Sequence, residues 1–477
     1  MRFTKLSDHE VRPGRLVEWY PIALGAPAPD PRPASYVQEA HLREASTRRA
    51  AGLSCPTWLG TTFELPGDLD IAALRQALLT WIDRHETLRS TLTFHTRTGG
   101  DAQVRRWTLP RGGVGLHRQD RGRFADPARI GSHVESLFDR TANPLHWPSY
   151  LFVTVSRPGG TTIYIGLDHS NVDGYSILLI AQELRALYDA ALTGVAAGLS
   201  ATDSYLEFSA AERSEALLVR ADHEVVNRWR RFLDTNDAEL PGFPLEVGAD
   251  RTRPTPQHGN CTWLLDAEKA ESFSTACRAA SGGFQAGVLA CLGIAAHEVS
   301  ARRTFRALVP FHTRHAPRWT ASLGWYVGLA PVEFPVEGRP DFAGLTRAAS
   351  AAVRESRPLA RVPFARVCEL LGAQPRPRFV VSYMDMRNAP GADRWRQWHT
   401  CAFHSRSSAG DEVYLWIHRT HDGVYLTCRH PGTEAGIRNV ARYVGHLRRV
   451  IDEVATHGGY AVSGLAPIPA VDMATTW

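Results

Sequence analysis

Apolar residues return along this chain in two rhythms. At Ile71, Leu74, Leu78, Trp81 and His85 the spacing is three to four, which predicts a helix over 68–90 with Asp70 as its N-cap. The same period at Ile177, Ile180, Leu184, Leu187 and Ala191 predicts a helix over 176–194. Just before it, 150-YLFVTVSRPGGTTIYIGL-167 reads as two strands joined by a Pro-Gly-Gly turn. The polar stretch 209–232 predicts a helix that carries the chain from one lobe to the next. In the second half, 267–281, 284–299 and 434–457 read as helices, and 304–311, 328–336, 378–386, 412–420 and 423–430 as strands. The proline-rich 26-APAPDPRPAS-35 predicts an extended surface segment. Strands and helices mix in both halves without a strict βαβ rhythm, which predicts an α/β protein with mixed sheets. A length of 477 residues suits two or three lobes.

Composition narrows this picture. An apolar fraction of 44% and a charged fraction of 22% are those of a soluble globular protein. The first twenty residues lack the apolar h-region of a signal peptide, and no stretch approaches the roughly 18 apolar residues of a membrane span, so a cytoplasmic protein is expected. Lysine occurs only at Lys5 and Lys269, so 54 − 2 = 52 of the basic residues are arginine. With the many alanines this suggests a GC-rich genome. The net charge of +5 is then weak evidence for nucleic acid, and no basic run carries the interleaved aromatics of a nucleic-acid surface. The seven cysteines (Cys55, Cys261, Cys277, Cys291, Cys368, Cys401 and Cys428) lie far apart without a C-x-x-C pair, which predicts reduced thiols rather than disulfides or zinc.

Candidate chemistry concentrates at 168-DHSNVDG-174, between a predicted strand and a predicted helix. Side chains alternate along a strand, so Ile163, Ile165, Leu167 and His169 share one face, and Tyr164 and Asp168 the other. His169 thus ends an apolar face, where a neutral imidazole is available to take a proton. Asp173 lies past the turn and needs a partner if it is buried. Gly174 permits a conformation or a close approach that a Cβ would block. By spacing alone, an H-x-x-x-D is more often a satisfied core histidine or a capped turn than a catalytic site. A metal reading is weaker, because 312-HTRH-315 is the only further candidate and reads as surface polar. The G-x-S-x-G elbow, the Walker A loop and the dinucleotide fingerprint are missing.

DHSNVDG resembles the HHxxxDG signature of the condensation-domain and chloramphenicol-acetyltransferase-like acyltransferase superfamily. The segments 84-RHETLRS-90, 137-LFDRTANPLHWPSYLFVTV-155 and 183-ELRALYDA-190 resemble its surroundings. A subgroup, the mycobacterial polyketide-associated acyltransferases that acylate trehalose, is similar at 228-RWRRFLDTNDAELPGFPLEVG-248, 322-SLGWYVGLAPVEFPV-336, 362-VPFARVCEL-370 and 412-EVYLWIHR-419. The resemblance covers nearly the whole chain. It implies two chloramphenicol-acetyltransferase-like lobes, here 1–222 and 223–477, each a mixed sheet with helices, and a tunnel at their interface.

The resemblance implies an acyl thioester, on CoA or on the phosphopantetheinyl arm of an acyl carrier protein, as co-substrate. The acceptor would be a sugar hydroxyl such as that of trehalose, or another small-molecule alcohol or amine. His169 would be the general base. Asp173 would be structural and paired with an arginine of the other lobe, at the position that Arg314 matches. Ser170, Asn171, Trp325, Tyr326 and Ser382 are candidates to line the tunnel, although Trp325 and Tyr326 also suit a core, and Gly324 and Gly328 suit strands or turns. No bound cofactor, metal, nucleic acid or membrane span is implied, and a monomer is expected. One residue departs from the signature: Asp168 stands where its first His would be. By strand alternation Asp168 should point away from His169 and brace the turn through a backbone N–H or an arginine. The departure weakens the reading as a standard peptide-forming condensation domain and keeps open a catalytically silent module that docks a carrier protein. A free-standing condensation enzyme forming an amide, which differs only in its acceptor, is a further alternative.

Overall fold

The computed structural model describes residues 1–53, 56–95, 102–235, 238–250, 254–338 and 341–462. The chain divides into two compact units. The first comprises 1–219, 312–327 and 388–407; the second comprises 220–311, 328–387 and 408–477. The division is therefore not a single cut after residue 222. Two segments from the C-terminal half go with the first unit because of what they hold there: 388–407 supplies the strand Cys401–His404 to its sheet, and 312–327 supplies an arginine to the helix that opens at Gly174.

The first unit is built on a seven-stranded sheet. Its order across is Phe3–Thr4, Cys401–His404, Trp58–Pro66, Gly160–Asp168, Tyr150–Arg157, Gly14–Ala23 and Val114–Phe124. The first two strands pair parallel and the rest pair antiparallel. The two predicted strands before the motif form as expected and lie at the sheet's centre, where every residue of Gly160–Asp168 is buried. One face is covered by the helix Pro127–Thr141, whose Ile130, Val134, Leu137 and Phe138 pack with Trp58, Leu151 and Tyr164. Gly166 lies beneath this helix, where a Cβ would come within 2.5 Å of Phe138 Cγ. Against the sheet also pack the helices Ile71–Arg84 and Gly174–Thr193, which touch each other. Asp70 caps the former by accepting from Ala73 N–H at 2.8 Å. A small sheet of Ala28–Asp30, Gln103–Thr108 and Ser90–His95 completes the unit.

The predicted helix 209–232 is two helices, Tyr205–Leu217 and Glu224–Asp234. The second begins anew at His223, whose Nδ1 accepts from Val225 N–H at 3.2 Å, and the unit boundary falls in the break between them.

The second unit carries another mixed sheet, ordered Val327–Pro335, Thr304–His312, Phe379–Asp385, Val413–Thr420, Gly423–Pro431, Thr255–Asp266 and Ser408–Ala409. Its helices include Ala267–Ala279, Phe284–Ser300, Phe342–Ser356 and Glu434–His457. Phe284–Ser300 is apolar nearly all round and is the unit's core helix. Gly328 sits so close to Ala360 that a Cβ would fall 1.9 Å from its carbonyl oxygen, so it is a close-approach glycine. No single helix among the described residues is long and apolar enough to cross a membrane; the pair Ala267–Ala279 and Phe284–Ser300 would suffice together but is bent by 90°.

Candidate active site

The motif strand ends at Asp168, and the chain turns through His169–Val172 into the helix Gly174–Thr193. Asp173 is that helix's N-cap and accepts from Ser176 N–H at 2.7 Å. Gly174 is the first helical residue and is not among the glycines with positive φ, so the turn does not need it for a left-handed conformation. Asp173 is fully buried and meets Arg314 in a bidentate pair of 2.7 and 3.1 Å. Tyr326 N–H donates to it at 3.0 Å, and Arg314 also donates to Ser176 Oγ at 2.8 Å and to the Ser322 carbonyl. Burial pushes the Asp173 carboxyl up, but the Arg314 charge and hydrogen bond, with those from Ser176, leave it below its ordinary value. The arginine stacks over the Tyr326 ring at 4.2 Å. Although C-terminal in sequence, Arg314 belongs to a segment of the first unit.

His169 is partly exposed, and its ring stacks on Trp325 with centroids 3.8 Å apart at 29°. Its Nδ1 is buried without a hydrogen-bond partner among the described residues. Burial first, and then the neighbouring His41, push its pKa down to about 4, against the opposing pull of its own backbone, Asp168 and Asp173. The ring is thus neutral at pH 7.

Asp168 is fully buried. It accepts from Ser170 N–H at 2.8 Å, as a bracing residue should, and from Thr57 Oγ1–H at 2.8 Å. Its side-chain partner across the turn is a histidine rather than an arginine: His41 Nε2 lies 3.2 Å from each carboxylate oxygen. Burial raises the Asp168 carboxyl, but the His41 charge and the hydrogen bonds of His41 and Ser170 outweigh it and hold it low. His41 comes from the helix Tyr36–Ala50 and meets Trp325 edge-on, with centroids 5.3 Å apart.

This helix was invisible to the hydrophobic pattern, since its apolar residues are few and form no stripe. A capping-box signature, Ser35 with Gln38 three residues on, was the one signal available. Three residues apart on the helix, Gln38 and His41 share a face and grip the motif turn together, Gln38 by donating to the Ser170 carbonyl at 2.9 Å.

The remaining candidates separate. Trp325 stacks on His169, whereas Tyr326 is core, packed with Tyr205, Phe208 and Trp319. Gly324 is a close-approach glycine, because a Cβ there would come within 2.2 Å of the Tyr205 ring. Ser170 and Asn171 face a cavity of about 20 Å³ that Arg106 and Gln38 also line, room for about one water. Asn171 spans it by accepting from Thr87 and donating to Ser149. Ser382 lies on the second unit's strand Phe379–Asp385, opposite Trp416. His315 turns back on the Thr313 carbonyl, and no three potential metal ligands cluster among the described residues. Six cysteines are free thiols, and Cys55 lies outside the described residues. Burial pushes Cys277 up to about 12, and Cys368 and Cys401 to about 11, so these are poor nucleophiles.

A histidine held neutral at a strand end lies next to a helix capped by an arginine-bound aspartate. The condensation-domain sequence pattern matches residues 58–395, and the chain belongs to that family. Its activity is that of an acyltransferase. The chain is similar to acyltransferase PapA3 of Mycobacterium tuberculosis, at 28% identity over 95% of this chain and 96% of that protein. It is also similar to trehalose-2-sulfate acyltransferase PapA2 of Mycobacterium bovis, at 27% identity over 94% and 96%. Among solved structures it is similar to a PapA2 acyl transferase, with a TM-score of 0.86 and 25% identity over 95% of this chain and all of that one.

Proposed function

We propose that this acyltransferase moves an acyl group from a thioester, on CoA or on a phosphopantetheinyl arm, to a hydroxyl of trehalose or a related sugar. The sugar acceptor rests on the names of the relatives. The observation that carries the mechanism is the neutral, partly exposed imidazole of His169. Its buried Nδ1 leaves Nε2 as the base. Nε2 takes the acceptor's O–H proton while the oxygen attacks the thioester carbonyl carbon. The tetrahedral adduct collapses, the C–S bond breaks, and the departing thiolate takes the proton back from His169. The products are an ester and a free thiol, and the base is restored. Asp173 and Arg314 hold the turn and touch neither substrate. Incubation with a panel of acyl-CoAs and trehalose, followed by mass spectrometry, should yield an acylated sugar. Products formed equally well by His169→Ala would overturn the role of His169, and transfer to amines alone would turn the reading to amide formation.

A further inference from the structure

We propose that His41 is a positioning residue for the reaction: its hydrogen-bonded contact with Asp168 holds Trp325 as the platform on which the His169 ring is stacked. The inference rests on His169 being the base.

Four observations carry it. Asp168 is fully buried, and a buried carboxylate requires a partner; among the described residues His41 Nε2, equidistant from both oxygens, joins the Thr57 hydroxyl and the Ser170 amide in that role. The His41 side chain is itself only 9% exposed, so the pair is built into the fold rather than laid on its surface. One indole contacts both imidazoles, His169 face to face and His41 edge-on, so a shift of His41 would move the surface that fixes the base. Finally, Gln38 and His41 hold consecutive parts of the motif turn, the Ser170 carbonyl and the Asp168 carboxylate, which makes the helix Tyr36–Ala50 the turn's outer clamp. Where the family signature has an imidazole at its first position, this chain has a carboxylate and brings the imidazole from another helix.

The titratable groups facing His169 are His41, Asp168 and Asp173, the last paired with Arg314. Loss of His41 removes the neighbour whose electrostatic effect pushes His169 down and takes one hydrogen-bond partner from Asp168. Both changes favour a protonated His169, so its titration must move up.

The test uses the full-length protein. Histidine-selective ¹⁵N labelling, with His169 assigned by its loss in His169→Gln, reads the ring's titration without any substrate. In His41→Gln, which keeps a donor toward Asp168 but no charge, the His169 titration should rise by about one unit. In His41→Phe, which also loses the donor, it should rise further, and the near-ultraviolet dichroism of Trp325, read as the difference from Trp325→Phe, should fall. Where transfer is measurable with an acyl-CoA and trehalose, kcat should drop about tenfold in His41→Phe with KM for the donor within twofold, and His41→Gln should recover part of it. An unmoved His169 titration in a folded His41→Gln would overturn the proposal. So would a kcat loss that follows thermal stability alone across the two variants. Failure of the base assignment shows separately, as full turnover in His169→Gln.

Discussion

A single imidazole carries the proposed chemistry, and its surroundings set when it works. His169 is a base only while neutral, and with a pKa near 4 it stays neutral down to that pH. The acidic limb of kcat/KM should therefore lie near 4, well below the ordinary histidine value of about 6.5. A limb near 6.5 would mean that the ring is solvated during turnover. Replacement His169→Ala should cost about 10²–10⁴-fold in rate while leaving the melting temperature nearly unchanged, since the ring is partly exposed. No acyl-enzyme should accumulate without acceptor, because the proposed transfer is a direct attack of the acceptor on the thioester with no protein nucleophile; intact-mass spectrometry checks this. Much of this site was legible in the residues themselves. The strand-end position of His169, the need of Asp173 for a partner and the choice of Arg314 follow from pattern and resemblance. The partner of Asp168 was not legible. A buried aspartate announces that it needs partners, but with 52 arginines in the chain nothing in one dimension says that His41, 127 residues away, is one of them.

Elements decide how rigidly the imidazole is held. The helix Gly174–Thr193 starts on a carboxylate that caps it, binds Arg314 and accepts from Tyr326 N–H at once. Asp173→Ala and Arg314→Ala should each destabilise by about 3–5 kcal/mol, because each leaves the other charge buried alone. The double variant should cost far less than the sum, and additive losses in chemical denaturation would show that the two are not partners. Asp173→Asn keeps a capping oxygen, worth about 1 kcal/mol, and should fall between wild type and Asp173→Ala. Gly324→Ala should destabilise by about 1–3 kcal/mol, since its methyl would overlap the ring of Tyr205. Elements with a strong period were readable almost to the residue, as the helix Glu434–His457 shows. The helix Tyr36–Ala50 escaped because it makes its contacts through Gln38 and His41 rather than through an apolar stripe. The stretch 209–232 read as one helix because its period runs on, while the break at 218–223 is made by a cap on a histidine.

On the scale of the whole molecule, the same buried groups set how the protein responds to acid. His9 and His169 in the first unit have pKa values near 4, and His418 in the second near 3, each lowered chiefly by burial. Unfolded, each returns to about 6.5. Between these values the unfolded chain binds more protons than the folded one, so stability rises with pH through the window and falls as pH drops from about 6.5 toward 4. Each histidine contributes a slope of at most about 1.4 kcal/mol per pH unit inside its window. The carboxylates act lower. Asp168 and Asp173 have folded pKa values below their ordinary ones, so the stability they contribute is intact above the unfolded value of about 3.9 and is lost as pH falls through their folded values. Two stages are thus expected in urea titrations: a decline between pH 6.5 and 4 set by the histidines, and a steeper loss below it as the carboxylates protonate. His418→Phe should flatten the first stage without touching transfer, whereas His169→Ala should flatten it and also slow transfer by about 10²–10⁴-fold, as expected of losing the base. A stability that stays level from pH 7 to 4.5 would mean that these rings are solvated, and the neutral base proposed for His169 would lose its physical footing.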